Sequence, residues 1–227
     1  GLRSAAGALA SVLPWRLWAA LTLPLLALVA LTRAAYSPSA AVWLVALAGV
    51  PVTATVVGVA AWTSLRGAWR GLLMRTTPAR ATCAALLPAW GFLTGVLLLA
   101  WGAAAAGSEL FPAGADSDLP AVAGEVYVAA TIPFVALMLM AAAYALAQVV
   151  GVAASIAAIG LLAGLTIAGN EILVSAPGLW LSAPWGWASV AGSCPGRWVG
   201  VVGLSMVLAL AALGAGAAMG RRVAVRE

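Results

Sequence analysis

The sequence predicts an all-α, polytopic integral membrane protein with six transmembrane helices. Three observations carry that prediction. Of 227 residues, 65% are hydrophobic and only 7% are charged; the apolar residues fall into long runs; and the arginines gather on one side of the alternation those runs define. A soluble domain carries about 25% charged and 45–50% apolar residues. So large an apolar excess, with a mean hydropathy of +1.11, exceeds what one core of this size can bury, so lipid must be the solvent. A span needs about 20 apolar residues, and six of them take up roughly half the chain. Residues 1–227 therefore read as a single transmembrane domain without a soluble head.

The elements follow in order. In residues 2–13, Leu2, Ala5, Leu9, Val12 and Leu13 recur at helical spacing, which suits a short helix in the membrane interface as against a frayed end. The first span covers 15–35, anchored by Trp15, Arg16 and Trp18, and Tyr36 to Ser39 make a tight turn. The second span is 41–62. A polar, basic connection over 63–82 leads to the third span, 83–106. An acidic loop over 107–125 holds Glu109, Asp116, Asp118 and Glu125. The fourth and fifth spans, 126–147 and 149–169, are separated only by Gln148. Residues 170–197 form a broken, tryptophan-rich segment, and the sixth span is 198–220. The chain opens on Gly1 rather than Met, which leaves room for preceding residues.

Charge sidedness supports that count. All eleven basic residues are Arg, giving a formal net charge of +5. Basic residues of a membrane protein mainly set topology, because cytoplasmic loops retain them, so nucleic acid is not the partner implied. With both termini in the cytoplasm, Arg3, Arg16, Arg66, Arg70, Arg75, Arg80, Arg221, Arg222 and Arg226 lie inside, whereas Arg33 and Arg197 lie outside. A five-span count would put the Arg66–Arg80 cluster and Arg221–Arg226 on opposite faces. The bias toward Ala, Gly, Val, Leu and Arg without Lys resembles a high-GC bacterial proteome, and the expected location is the cell membrane.

Small residues predict packing. Gly160 and Gly164 form a G-x-x-x-G pair, with Gly151 and Ser155 one such step earlier, while Ala212, Gly216 and Gly220 repeat the spacing in the last span. Stripes of this kind let helix backbones approach closely in lipid, within one chain or between two copies. A chain this rich in Ala and Gly also produces them by chance. Pro24, Pro51, Pro88 and Pro133 lie inside spans, where they kink a helix or find other partners for the freed carbonyls.

Composition removes several chemistries. The chain has no His and no Lys. Without Lys it cannot build a G-x-x-x-x-G-K-[ST] phosphate loop, so ATP hydrolysis by that device is excluded. Without His there is no Ser-His-Asp triad, Cys-His nucleophile or His-ligated metal. No acid sits clearly in mid-membrane, where proton-coupled transporters normally carry one. Cys83 and Cys194 fall near opposite faces, about 30 Å apart, too far for a disulfide. The expectation is therefore no catalytic residue, no metal and no cofactor in this chain, with energy supplied elsewhere.

The 63–82 connection and the 170–197 segment also carry a resemblance. Gly67, Leu72, Leu73, Thr77, Pro78 and Arg80 resemble the cytoplasmic loop of the membrane subunits of type 2 ATP-binding-cassette exporters, without the acidic residue usual near its start. Pro184-Trp185-Gly186-Trp187, followed by Arg197-Trp198, is similar to the ending of actinobacterial drug and lantibiotic exporter permeases. The resemblance implies a permease subunit paired with a second copy or paralogue. Partner ATPase subunits, which hold ATP and Mg, would couple through Arg66, Arg70, Leu73, Arg75, Thr77, Pro78 and Arg80. It also implies an outer cap containing Trp180, Pro184, Trp185 and Trp187. The substrate class would be an amphipathic drug, peptide or lipid.

Physical chemistry reaches similar roles separately. Trp69, Leu72, Leu73 and Met74 beside Arg66, Arg70 and Arg75 make an amphipathic helix suited either to anionic membrane lipid or to a partner's groove. Residues 172–187 are too apolar for an open loop and too broken by Pro177 and Pro184 for a span. A re-entrant or interfacial pair of short helices fits, with its tryptophans at headgroup level. A structural or accessory subunit of a larger membrane complex is the other class the sequence allows. A membrane enzyme is disfavoured by the missing His and Lys.

Overall fold

Trp15 opens helix α1, which runs to Ala35 and coincides with the first predicted span. The computed structural model describes residues 15–110 and 119–226, so the proposed interfacial helix at 2–13 and the acids Asp116 and Asp118 lie outside the described residues. No strand occurs among the described residues. Ser37 ends the turn after α1 by accepting a hydrogen bond at 3.1 Å from the Ala40 amide, and Pro38 takes the first helical position. There its missing N–H costs nothing.

The second helical path is interrupted. Helix α2 (Pro38–Leu44) widens into a π turn at Val45–Gly49 before α3 (Val50–Leu65). Pro51 accounts for the widening: it has no N–H for the carbonyl four residues back, and its ring crowds that turn. A five-residue helix, α4 (Trp69–Leu73), follows a 3₁₀ turn at Arg66–Ala68. Helices α5 (Pro78–Leu110) and α6 (Leu119–Val150) are the long elements. At 1.5 Å per residue each is nearly 50 Å long, well beyond a ~30 Å hydrocarbon core.

That length corrects two expectations. Of the acidic 107–125 loop, residues 107–110 and 119–125 are helical, because the helix-favouring Ala103–Ala106 run carries α5 past Glu109 and α6 begins before Glu125. Gln148 does not separate the fourth and fifth spans; it lies inside α6. The break is at Gly151, whose φ of 86° is a left-handed conformation that L side chains avoid. Helix α7 (Val152–Ser175) then extends past the predicted 169, and Gly178, at φ 84°, turns the chain inward. After 3₁₀ turns at Leu179–Ser182 and Pro184–Gly186 come the short α8 (Trp187–Ser193), a 3₁₀ turn at Pro195–Arg197, and α9 (Trp198–Arg226).

Among the described residues, four helical stretches are long and apolar enough to cross a membrane: Pro38–Ala68, Pro78–Ala105, Gly124–Val150 and Pro195–Gly220. Helix α6 is the axis of the bundle, packed against α3, α5, α8 and α9, while α1 rests on α2 and α5. The core runs along that axis through Val128, Ile132, Val135, Met140 and Tyr144. Close approach is set by glycine. A Cβ on Gly58 would collide with the Met140 backbone carbonyl, and one on Gly124 would stand 2.7 Å from the Gly192 carbonyl oxygen. Tryptophans stitch the helices together from inside. The Trp90 and Trp101 indoles on α5 donate to the Pro133 and Glu125 carbonyls of α6 at 2.8 and 3.0 Å.

Candidate functional site

The basic connection is a folded lever rather than a loop. The Thr77 hydroxyl accepts from the Arg80 amide at 3.4 Å, and Pro78 follows at the first position of α5, so Thr77 and Pro78 start a helix. Arg80 is exposed one turn in. Leu72 closes the preceding turn, its carbonyl accepting from the amides of Arg75 and Thr76 at 3.0 and 2.9 Å. Leu72 and Leu73 are half-buried and pack on the core, whereas Met74 is 87% exposed. The amphipathic reading thus holds for Leu72 and Leu73 and fails for Met74, which the turn swings outward. Arg66 and Arg75 are exposed beside it. Arg70 takes its place within α4.

Trp69 fixes this lever. It is only 2% exposed, and its indole N–H donates at 3.0 Å to the Gly220 carbonyl of α9. Its ring meets Trp62 edge-on at 5.7 Å between centroids, and Trp62 meets Tyr144 of α6 in the same way at 5.8 Å. Edge-to-face pairs at such distances are attractive beyond the area they bury. A Cβ on Gly220 would stand 2.6 Å from the Trp69 ring, and one on Gly216 would stand 3.3 Å from Tyr144. The small-residue stripe of α9 is therefore filled, but by aromatic side chains of the same chain. Above the lever, the Tyr144 hydroxyl lies beside that of Thr82 without meeting hydrogen-bond geometry, and the Gln148 carboxamide is likewise buried without a partner.

The other stripe separates. Ser155 is buried and its hydroxyl returns to the Gly151 carbonyl at 2.7 Å, while Gly151 is the turn itself. Gly160 and Gly164 are exposed, and a Cβ on either meets nothing within 4 Å. A separation of five residues turns an α-helix by about 140°, so Ser155 and Gly160 cannot share a face. Ser155 and the Gly160/Gly164 pair therefore lie on different faces of α7.

At the opposite end, the broken segment forms short, irregular helical pieces. Its tip is not an outward belt. Trp187 is 1% exposed and donates to the Trp180 carbonyl at 2.7 Å, while Trp180 and Trp185 are half-buried against the core. Pro184 opens the second 3₁₀ turn, a position where its lack of an N–H is harmless. The Ser189 hydroxyl reaches the Asn170 side-chain oxygen at 2.8 Å. Both the Pro184–Gly186 turn and α8 touch the π turn of the second helical path, which begins seven residues, or about 10 Å, along from Pro38. Helix α8 is enclosed by protein: Trp187 through Gly192 are all buried.

No family model, curated protein or solved structure matches the chain. What it does is therefore read from its own geometry.

That geometry accounts for the two arginines that depart from the charge bias. The Arg33 guanidinium donates to the Ala103 carbonyl at 3.0 Å, and that of Arg197 donates to the Val174 carbonyl at 3.0 Å. Each joins two helices, and Arg197 sits at the C-terminus of α7, where a cation complements the helix dipole. Hydropathy and charge counts gave no sign of either contact. Cys83 and Cys194 are free thiols, as their expected separation requires. Among the described residues no cluster of His, Cys, Asp or Glu is suited to a metal ion.

Proposed function

We propose that the chain is the permease subunit of an ATP-binding-cassette exporter. In this reading it has six spans and cytoplasmic termini in the cell membrane, and it works beside a second permease copy or paralogue. One observation carries it: the folded connection around α4 leaves Arg66, Met74, Arg75 and Arg80 exposed while Trp69 is locked into α9 and, through Trp62, against α6. A lever held this way passes a push from below directly to the two helices at the centre of the bundle. Partner ATPase subunits supply that push and hold ATP and Mg. Helices α1 and α7, at 21 and 24 residues, are about 32 and 36 Å long, which supplies the two further spans. The enclosed segment around α8 closes the path on the outer side. An amphipathic drug, peptide or lipid suits a path between such apolar helices.

Purification from mild detergent is expected to bring down an ATPase chain with a Walker A motif, while the isolated chain hydrolyses no ATP above a mock preparation. With Cys83 and Cys194 replaced, thiols introduced by Gly71→Cys and Ser182→Cys are expected to label from opposite sides of the membrane. Labelling of both from one side removes the six-span topology. Robust hydrolysis by the isolated chain removes the permease assignment.

A further inference from the structure

We propose that the basic lever and the cytoplasmic end of α9 form a single docking surface, locked together by Trp69, for an acidic protein partner that also takes up Met74. The inference rests on the transport reading and extends the partner's footprint beyond the loop. Its starting point is the indole bond. Trp69 holds the carbonyl of Gly220, and α9 continues without a break through Arg221 and Arg222 to Arg226. The two chain segments are 151 residues apart in sequence, yet the basic residues of one begin one residue past the atom gripped by the other. Six further residues carry α9 about 9 Å beyond that grip. Arg66, Arg75 and Arg80 are exposed on the connection that Trp69 anchors.

Charge supplies the complement. Among the described residues the acids are Glu109, Glu125 and Glu171, which belong to the far ends of α5, α6 and α7. A surface of one sign steers an oppositely charged partner and fixes its register. Exposed methionine, soft and unbranched, is suited to filling an apolar hollow in a partner.

A lipid surface fits less well. An interfacial helix needs a broad apolar face turned to the acyl chains. Here α4 is only five residues long, and Trp69, Leu72 and Leu73 already face the bundle, while Met74 points the other way. The arginines of α9 belong to one unbroken helix that runs on from the Trp69 grip.

The test has two readouts. Spin labels on Gly71→Cys and Val225→Cys, in a chain lacking Cys83 and Cys194, report the distance between lever and tail in nanodiscs. No atom lies within 4 Å of a Cβ at Gly71, so the first label is tolerated. The wild-type distribution is expected to be single and narrow, and Trp69→Phe, which keeps a ring but loses the N–H, is expected to broaden it. An unchanged distribution overturns the lock. The second readout is retention of the co-purified ATPase. Arg221→Glu with Arg222→Glu is expected to lower retention at least tenfold, as Arg66→Glu with Arg75→Glu does, and Met74→Ser to lower it severalfold. Full retention by the tail variant overturns the shared surface while leaving the transport reading intact. A wild-type chain that retains no ATPase overturns both. Losses that follow only the anionic lipid content of the nanodisc, with protein retention unaffected, assign the surface to lipid and overturn the proposal.

Discussion

Helices α6 and α7 follow one another across a single glycine and are equally apolar, yet they occupy opposite situations. Along α6, residues such as Val128, Ile132, Val135, Met140 and Tyr144 are enclosed, with neighbours on every side. Among the described side chains of α7, only Ser155 is buried. Hydrophobicity does not tell these helices apart, because lipid and protein core are the same solvent to an alkyl side chain. What separates them is shape. Glycines on and opposite α6 face backbone atoms of a neighbour, as Gly58 faces the Met140 carbonyl and Gly124 the Gly192 carbonyl, whereas Gly160 and Gly164 of α7 face nothing within 4 Å. The number of small residues is uninformative until each has a partner assigned.

The largest break in this comparison comes at Gly58. Its hydrogen occupies the place where any Cβ would overlap the Met140 carbonyl, and neither partner is a movable side-chain end: both belong to the backbones of α3 and α6. Gly58→Ala must force the two helices apart. Overpacking of this kind costs about 1–3 kcal/mol, here without relief from a rotamer change. Unfolding in mixed detergent micelles is expected to shift by that amount, and Tyr144 is expected to lose its protection as α6 moves. A variant as stable as the parent would show that α3 and α6 are free to slide.

How much of this was legible follows the same divide. The runs of apolar residues located the helices well, and α1 matches its predicted span end to end. Those signals act along the chain. Gln148 misled because a polar residue inside an apolar run resembles a boundary, although a helix ends only where the backbone turns, which happens at Gly151. The grip of Trp69 on Gly220 was not legible, since nothing in either local sequence encodes a partner 151 residues away. A tryptophan between Gly67 and Gly71 in an otherwise basic connection was the available hint, and it served there only as part of an apolar edge. Arg33 and Arg197 were seen as exceptions to a rule about sidedness, while their partners are carbonyls on other helices.

A smaller effect is expected where α7 is tied at its C-terminal end. Arg197 reaches the Val174 carbonyl across the turn into α9 and is itself half-exposed, so solvent weakens the interaction. A cation at a helix C-terminus contributes roughly 0.3–1 kcal/mol in such a setting. Arg197→Gln should therefore leave global unfolding almost unchanged. It should instead speed amide exchange in the last turn of α7 and in residues 176–186, with exchange around Met140 unaffected. Equal acceleration in both regions would mean that the outer segment and the bundle axis open as one unit.

The smallest effect on the chain itself is expected on the open face of α7. Gly160→Leu with Gly164→Leu adds two side chains where a Cβ meets no atom within 4 Å. Substitutions away from packed features usually change stability by no more than about 0.5 kcal/mol, and Leu is also the better helix former. Unfolding of the single chain should therefore be unmoved or slightly delayed. Association responds differently. A G-x-x-x-G face works between copies because two backbones come close together, and two leucines hold them apart. If the second permease copy sits there, sedimentation in mild detergent should report monomers for the variant and dimers for the parent at equal unfolding midpoints. A variant that remains dimeric would assign this face of α7 to lipid and move the contact between copies elsewhere. A variant that unfolds early would mean that α7 lies closer to the bundle than its open glycines indicate, and the contrast with α6 would fail.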